Sequence, residues 1–289
     1  MSFFKKKTVD PSLDPYESMS DNEINQKYEE VLKELLFPPD KIQQMIQVQK
    51  RQGKIIMIKS KAQQPKGSTP IIIIKNLRSG LTKEHIQEMR VCLSMADESW
   101  LREFLNLNGV QSIMEAINSI INLPQISNLN MELLEECAMC YKAMMNNSIG
   151  IKGVVDYPGS MSQLILILDD QKCKDQFPKY FEAGTVVLDL LSALCLIPEE
   201  ILENGQKIVL DAIDYLRYIT RESLRFQGLI QQLGMEGTPE SFKAKIVALI
   251  NVILCKNEYS HQRIKLRMEF NQCGLDKIIT VYDFYIYLY

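Results

Sequence analysis

Phe104-Leu-Asn-Leu-Asn-Gly109-Val-Gln-Ser-Ile-Met114 carries one helical pattern into the next across a glycine. The arrangement returns at Gly159-Ser-Met-Ser-Gln-Leu-Ile165 and at Phe270-Asn-Gln-Cys-Gly274-Leu-Asp-Lys-Ile-Ile279. Glycine accepts the backbone that closes a helix, and the apolar pair roughly one turn beyond it begins the buried face of the next. Units of roughly forty residues stacked in this way characterise armadillo and HEAT solenoids. The reading is an all-α protein, an armadillo-like helical solenoid.

Around these repeats the helix starts are legible. Thr82, Asp97, Asn130 and Thr238 are expected N-caps, the last with Pro239 at the first helical position and Glu240 in the first turn. Two-residue alternation is confined to the aromatic tail from Tyr282 to Tyr289, which has no place in a helical scheme. Before the solenoid, residues 1–20 are proline-rich and lack apolar periodicity, so disorder is expected there. Tyr28, Val31, Leu32, Leu35 and Leu36, then Ile42, Met45 and Ile46, form two helical stripes broken at Pro38-Pro39. Residues 63–70 read as a turn or linker. The expected divisions are 1–20, a small helical segment at 21–75, and the solenoid at 76–289.

Met144-Met-Asn-Asn-Ser-Ile-Gly-Ile-Lys-Gly-Val-Val155 interrupts this pattern with two amides and two glycines. Leu134, Cys137, Ala138, Tyr141, Met144 and Met145 recur at helical spacing, so Asn146 and Asn147 fall where that helix stops. Asparagine tolerates the left-handed backbone of a C-cap, and Asn146 is the amide expected to face a partner. The segment from Gly184 to Ile197 carries a packing stripe of Val187, Leu190, Leu191 and Leu194. Val186, Ala193, Leu196 and Ile197 give it a second apolar face, available either for burial in the stack or for a ligand helix on the concave surface.

The 289 residues carry a net charge of −3 and a sequence pI near 5.6, which does not suit a protein that tracks nucleic acid. The local distribution is uneven. Residues 21–40 hold six acids and two lysines, whereas residues 41–76 hold eight basic residues and no acid. Such asymmetry suits electrostatic docking. No apolar run approaches the roughly twenty residues of a membrane span, and Lys5-Lys6-Lys7 leads into no signal-peptide core. Residence in the cytoplasm is expected, with Phe3, Phe4 and those lysines able to touch anionic lipid weakly.

Seven cysteines at irregular spacing suit reduced thiols better than a disulfide framework. Cys137 lies mid-helix on an apolar stripe and Cys140 beside it, so packing rather than metal or redox chemistry explains them. Neither a P-loop nor Gly-x-Ser-x-Gly occurs, and the two histidines offer little acid–base chemistry. Glu135-Glu136 and Asp169-Asp170 point about 100° apart on a helix and read as solvated faces. Neither an enzyme nor a bound cofactor is expected.

Six blocks, in order, resemble the N-terminal regulatory region of a Diaphanous-related formin. They are Leu77-Arg-Ser-Gly-Leu81, Arg90-Val-Cys-Leu93 with Ser99-Trp100, Met145-Asn-Asn-Ser-Ile-Gly-Ile-Lys152, Leu190-Leu-Ser-Ala-Leu-Cys-Leu-Ile197, Arg225-Phe-Gln227, and Arg263-Ile-Lys-Leu-Arg-Met-Glu-Phe270 with Gly274-Leu275. The resemblance covers roughly Asn22 to Ile279. It implies that residues 21–75 bind a GTPase and that residues 76–289 form an armadillo-type formin homology 3 region. It further implies a partner of the Rho family in its GTP state, with GTP and Mg carried by that partner. The GTPase would displace the formin's own C-terminal autoregulatory helix and so control actin nucleation and elongation through regions this chain lacks.

Carried over residue by residue, the GTPase surface comprises Leu35, Leu36, Ile42, Met45, Ile46, Lys50, Met95, Ala96, Asp97 and Asn146. The autoregulatory groove comprises Lys142, Asn146, Ala193, Leu196 and Ile197. The chain departs from the family at Ser94-Met-Ala-Asp97, where relatives often carry a run of asparagines. The resemblance implies a cytoskeletal protein recruited to the cell cortex by the GTPase, and the lack of a heptad coiled coil implies a monomeric fragment. The alternative is an armadillo scaffold that binds an unrelated helical peptide without GTPase dependence.

Overall fold

A computed structural model describes Tyr16 and residues 19–34, 39–62, 68–169, 177–256 and 260–286. It divides into two compact units, Met1–Gly67 and Ser68–Tyr289. The division falls within the expected linker. The boundary expected after residue 75 lies inside a helix of the second unit, Pro70–Ser79, whose Ile73, Ile74 and Leu77 are core residues there. Leu35, Leu36, most of residues 1–20 and residues 63–67 lie outside the described residues.

The first unit consists of α1 (Asp21–Glu34), α2 (Pro39–Val48) and α3 (Arg51–Ala62). Ser20 and Glu23 exchange a capping box at the start of α1, the Ser20 N–H donating to Glu23 Oε2 at 2.8 Å. Ile24, Tyr28, Val31 and Leu32 form one stripe of α1 and pack with Ile42, Ile55 and Ile58. Helix α3 was not read separately from the sequence. Its Lys54 is buried, at 7% exposure, and its ammonium donates to Asn25 Oδ1 and to the Ile46 carbonyl, both at 2.6 Å. These bonds satisfy a charge that burial would otherwise penalise.

Every secondary-structure element among the described residues of the second unit is a helix. The unit comprises α4 (Pro70–Ser79), α5 (Lys83–Met95), α6 (Glu98–Asn106), α7 (Gly109–Ile121), α8 (Asn128–Met144), α9 (Ser148–Val155) and α10 (Ser160–Leu164). After a 3-10 turn at Ile165–Leu168 come α11 (Phe177–Leu196), α12 (Gly205–Thr220), α13 (Gln227–Gly234), α14 (Glu240–Cys255), α15 (Ser260–Gln272) and α16 (Leu275–Ile286). Helices α5, α8, α11 and α14 pack in one row, and α4, α7, α10 and α12 in a second. Repetition of paired helices in two rows is the solenoid architecture.

The repeated glycines work as the sequence suggests, with one exchange of roles. Gly159 and Gly274 have φ of +79° and +94° immediately before α10 and α16. In the first repeat Asn108 takes the left-handed turn at φ 60°, while Gly109 gives room to the Phe104 ring. Thr82 and Asp97 cap α5 and α6 as expected. Ser127, rather than Asn130, caps α8, and Asn130 answers it from the third helical position. Thr238 is not a cap either: its hydroxyl donates to Gln232 Oε1 at 3.1 Å, and Pro239 stands at the N-cap itself. The tail that resisted a helical reading is helical through Ile286, its first half continuing α16.

Candidate functional site

The row of α5, α8, α11 and α14 is parallel, and cross-helix pairs set its register. Lys83 Nζ donates to Glu132 at 2.7 Å and Gln87 Nε2 to Glu136 at 2.8 Å, both pairs being 49 positions apart. Arg90 adds a second donor to Glu136 at 2.7 Å. Between α8 and α11, Lys179 lies 3.8 Å from Glu132, and Glu135 faces Glu182 at the same offset. Between α11 and α14, the Phe181 and Phe242 rings are 4.9 Å apart, and Lys245 pairs with Asp189 at 2.8 Å.

Extending that register brings Met95–Asp97, Met144–Asn146 and Ala193 to one height, at the C-terminal ends of three neighbouring helices. Lys142 and Asn146 are exposed on α8 and the turn after it. On α11, Leu196 is 61% exposed and Ala193 is exposed, while Val186 and Ile197 are half-buried against the core. Val187, Leu190, Leu191 and Leu194 are buried on the other side. The two-faced pattern read from the sequence thus divides into a packing face and an open face.

The amide pair divides its roles differently from expectation. Helix α8 ends at Met144 and Met145, with no left-handed residue. Asn147 starts α9, its Oδ1 accepting from the Gly150 N–H at 2.8 Å, because four unpaired N–H groups at a helix start need an acceptor. Asn146 is exposed, and its backbone N–H donates to Ala143 O at 3.4 Å. Gly150 is required because a Cβ there would lie 1.8 Å from Met144 O.

Of the residues assigned to the GTPase surface, Ile42 is instead in the core of the first unit, at 3% exposure. It closes the hydrophobic cluster of three short helices that have few other large side chains to bury. Met45 and Ile46 are half-buried against the same cluster, and Lys50 is exposed. Met95 is half-buried, Ala96 packs on the main core, and Asp97 is exposed while its carboxylate accepts from the Trp100 N–H at 2.8 Å. Val91, one turn before Met95, is 39% exposed.

Electrostatics along the row also corrects the reading of the acid pairs. Glu136 holds α5 to α8 and is not a solvated residue. Burial, aided by Glu182, raises the Glu135 carboxyl, whereas the Lys83 hydrogen bond lowers that of Glu132. Asp169 is buried. Cys137 and Cys140 are fully buried, and burial pushes the Cys137 thiol up to about 12 and raises Cys140 as well. Among the described residues no helix is long and apolar enough to cross a membrane.

Comparison with known proteins agrees with this architecture. The family model described as the Diaphanous GTPase-binding Domain matches residues 16–196, and that of the Diaphanous FH3 Domain matches residues 206–282. The first of these reaches through α11, so its limit differs from the division between compact units. Formin-D of Dictyostelium discoideum is 28% identical over 223 residues, covering 76% of this chain and 17% of the relative. Formin-like protein 2 of Homo sapiens is 27% identical over 143 residues, covering 50% of this chain and 12% of the relative. The chain thus spans about a sixth of the length of the first of these relatives. A crystal structure of E. histolytica Formin1 bound to EhRho1-GTPgammaS shares the fold with a TM-score of 0.59 and 16% identity, over 89% of this chain and 87% of that one.

Proposed function

The chain belongs to the Diaphanous-related formins, through their GTPase-binding and FH3 domains, and from that premise we propose that it is a Rho-controlled regulatory module. A Rho-family GTPase in its GTP state binds the first unit and the end of α5. An autoregulatory helix from elsewhere in the same formin binds the open face formed by Lys142, Asn146, Ala193, Leu196 and Ile197. Arrival of the GTPase weakens the hold of that helix by the same factor as the helix weakens the GTPase, and so releases actin nucleation and elongation by other regions.

The single observation that carries this reading is the common height of Met95–Asp97, Asn146 and Ala193 on neighbouring parallel helices. Ligands at the two ends of so short a row compete for Asn146. The fold of a relative bound to EhRho1-GTPgammaS supports the same reading. The GTPase brings its own GTP and Mg, and recruits the module to the cell cortex.

The test is a calorimetric titration of the chain with a Rho-family GTPase loaded with GTPγS or with GDP. Binding restricted to the GTPγS form is expected; equal binding of both forms, or of neither, overturns the proposal. Ala193→Asp should keep the melting temperature, since the position is exposed, and abolish binding of the formin's C-terminal helix while GTPase binding persists. A charge there would be desolvated without a partner under a docked helix. Unchanged affinity for the helix removes Ala193 from the site.

A further inference from the structure

Two dipeptides in the chain join asparagine to glycine, Asn108-Gly109 and Asn204-Gly205, and the fold uses both in the same way. Each asparagine stands just before a helix of the second row, α7 or α12, in the left-handed region, at φ 60° and ψ 40° and at φ 55° and ψ 35°. Each glycine is the buried first residue of that helix. A Cβ on Gly109 would lie 2.2 Å from the Phe104 ring, and one on Gly205 would lie 2.2 Å from Leu194 O. Asparagine suits these corners because it tolerates the left-handed turn, and glycine because nothing larger fits.

The packing requirement thus places a chemically reactive pair at both corners. The side-chain carbonyl carbon of an asparagine can be attacked by the backbone nitrogen of the next residue, and glycine, lacking a Cβ, obstructs that approach least. Attack forms a C–N bond and closes a succinimide ring, while the side-chain amide leaves as ammonia, taking up the proton the backbone nitrogen gives to solvent. Water then opens the ring at one of its two carbonyls. The product is aspartate, or an isoaspartate whose main chain runs through the side-chain carbons. Asn108 and Asn204 are exposed, and neither side chain caps its helix. The attacking N–H sits at a helix start, where no intrahelical carbonyl engages it.

Backbone geometry holds the reaction off. Ring closure needs the glycine nitrogen on the same side of the Cα–C bond as Cβ. Viewed along that bond, Cβ of an L-residue stands about 120° from the residue's own nitrogen. At ψ of 40° and 35° the glycine nitrogen therefore lies nearly opposite Cβ. The peptide plane is fixed there, because the Ser112 N–H donates to Asn108 O at 3.2 Å and the Ile208 N–H to Asn204 O at 3.1 Å.

We propose that Asn108 and Asn204 are deamidation sites gated by the fold: each converts only when its corner opens, and the isoaspartate formed cannot return to the closed corner. Isoaspartate lengthens the main chain by one atom. No slack for it exists where Gly109 lies under the Phe104 ring and Gly205 against the Leu194 carbonyl. The corner itself does not need the amide, since Gly159 makes the left-handed turn before α10 at φ 79°, with Ser160 buried behind it.

Peptide mapping by mass spectrometry tests this on the whole chain, held at mildly alkaline pH either folded or in urea. Both asparagines should convert in urea, and at least tenfold more slowly in the folded chain. Urea below the unfolding midpoint should speed the folded reaction, because it populates open corners. Asn108→Gly and Asn204→Gly should each abolish conversion at the substituted site and keep the parent's melting temperature. Aged chain enriched in isoaspartate should melt below the parent, whereas Asn204→Asp, which brings the same charge without the added main-chain atom, should not. Equal rates in the folded and unfolded chain overturn the gating, and absence of conversion in urea overturns the sites. An isoaspartate-bearing chain that melts with the parent overturns the exclusion of the product from the closed corner.

Discussion

At Gly150 the space for a side chain is already taken by the main chain of the preceding helix, since a Cβ there would stand 1.8 Å from Met144 O. Gly150→Ala should therefore destabilise the second unit by about 1–3 kcal/mol, the usual range for overpacking, although alanine favours helix. Urea melts measure this, and an unchanged midpoint would show that the α8–α9 corner relaxes freely. Burial gives Cys137 a second testable property. Its folded thiol titrates at about 12 against an ordinary 9.0, so above pH 9 the unfolded chain loses a proton that the folded chain retains. Stability is therefore whole below pH 9 and falls as pH rises toward 12, this one group costing on the order of 1 kcal/mol by pH 10. Urea melts at pH 8 and pH 10 should show a smaller loss in Cys137→Ala than in the parent chain. The burial of this cysteine was legible from helical spacing, but the division of labour between Asn146 and Asn147 was not. An Asn-Asn-Ser run permits either residue to end one helix or start the next, and the choice rests on which N–H group lies within reach of Oδ1.

Among the helices, the register of the row is held by charge as well as by packing. Arg90 and Glu136 join α5 to α8 at 2.7 Å, with 14% of the Glu136 side chain exposed, so solvent screens the pair less than a surface pair. A double-mutant cycle with Arg90→Gln and Glu136→Gln should give a coupling energy of about 1 kcal/mol. Strict additivity would show that apolar packing alone sets the register. From the sequence, Glu135-Glu136 gave no hint of this, because the acceptor and its donors are 46 and 49 positions apart. Periodicity did reveal the helices and the two faces of α11, since those depend on neighbours three and four residues away. It missed α3, whose apolar residues Ile55, Ile56, Met57 and Ile58 are consecutive and do not advertise a face.

The described residues contain two hydrophobic clusters, one in each compact unit. Separate cores give separate cooperative transitions, and the unit of three helices has far less apolar surface to bury. Calorimetry should resolve two transitions, and Lys54→Ala should lower only one of them, because Asn25 and the Ile46 carbonyl then lose their partner. A single transition that Lys54→Ala shifts as a whole would show that the units melt together. At this scale the sequence by itself determined the all-helical class, the solenoid repeat through Gly109, Gly159 and Gly274, and the second apolar face of Val186, Ala193, Leu196 and Ile197. These are matters of local backbone preference and of spacing within one helix. Only the tertiary structure decided that Ile42 closes a core, that the ends of α5, α8 and α11 share one height, and that Ala193 and Leu196 are left exposed while Val186 and Ile197 turn half-buried toward the core. Each of these depends on which distant segments become neighbours, and side-chain periodicity along a single helix carries no record of that.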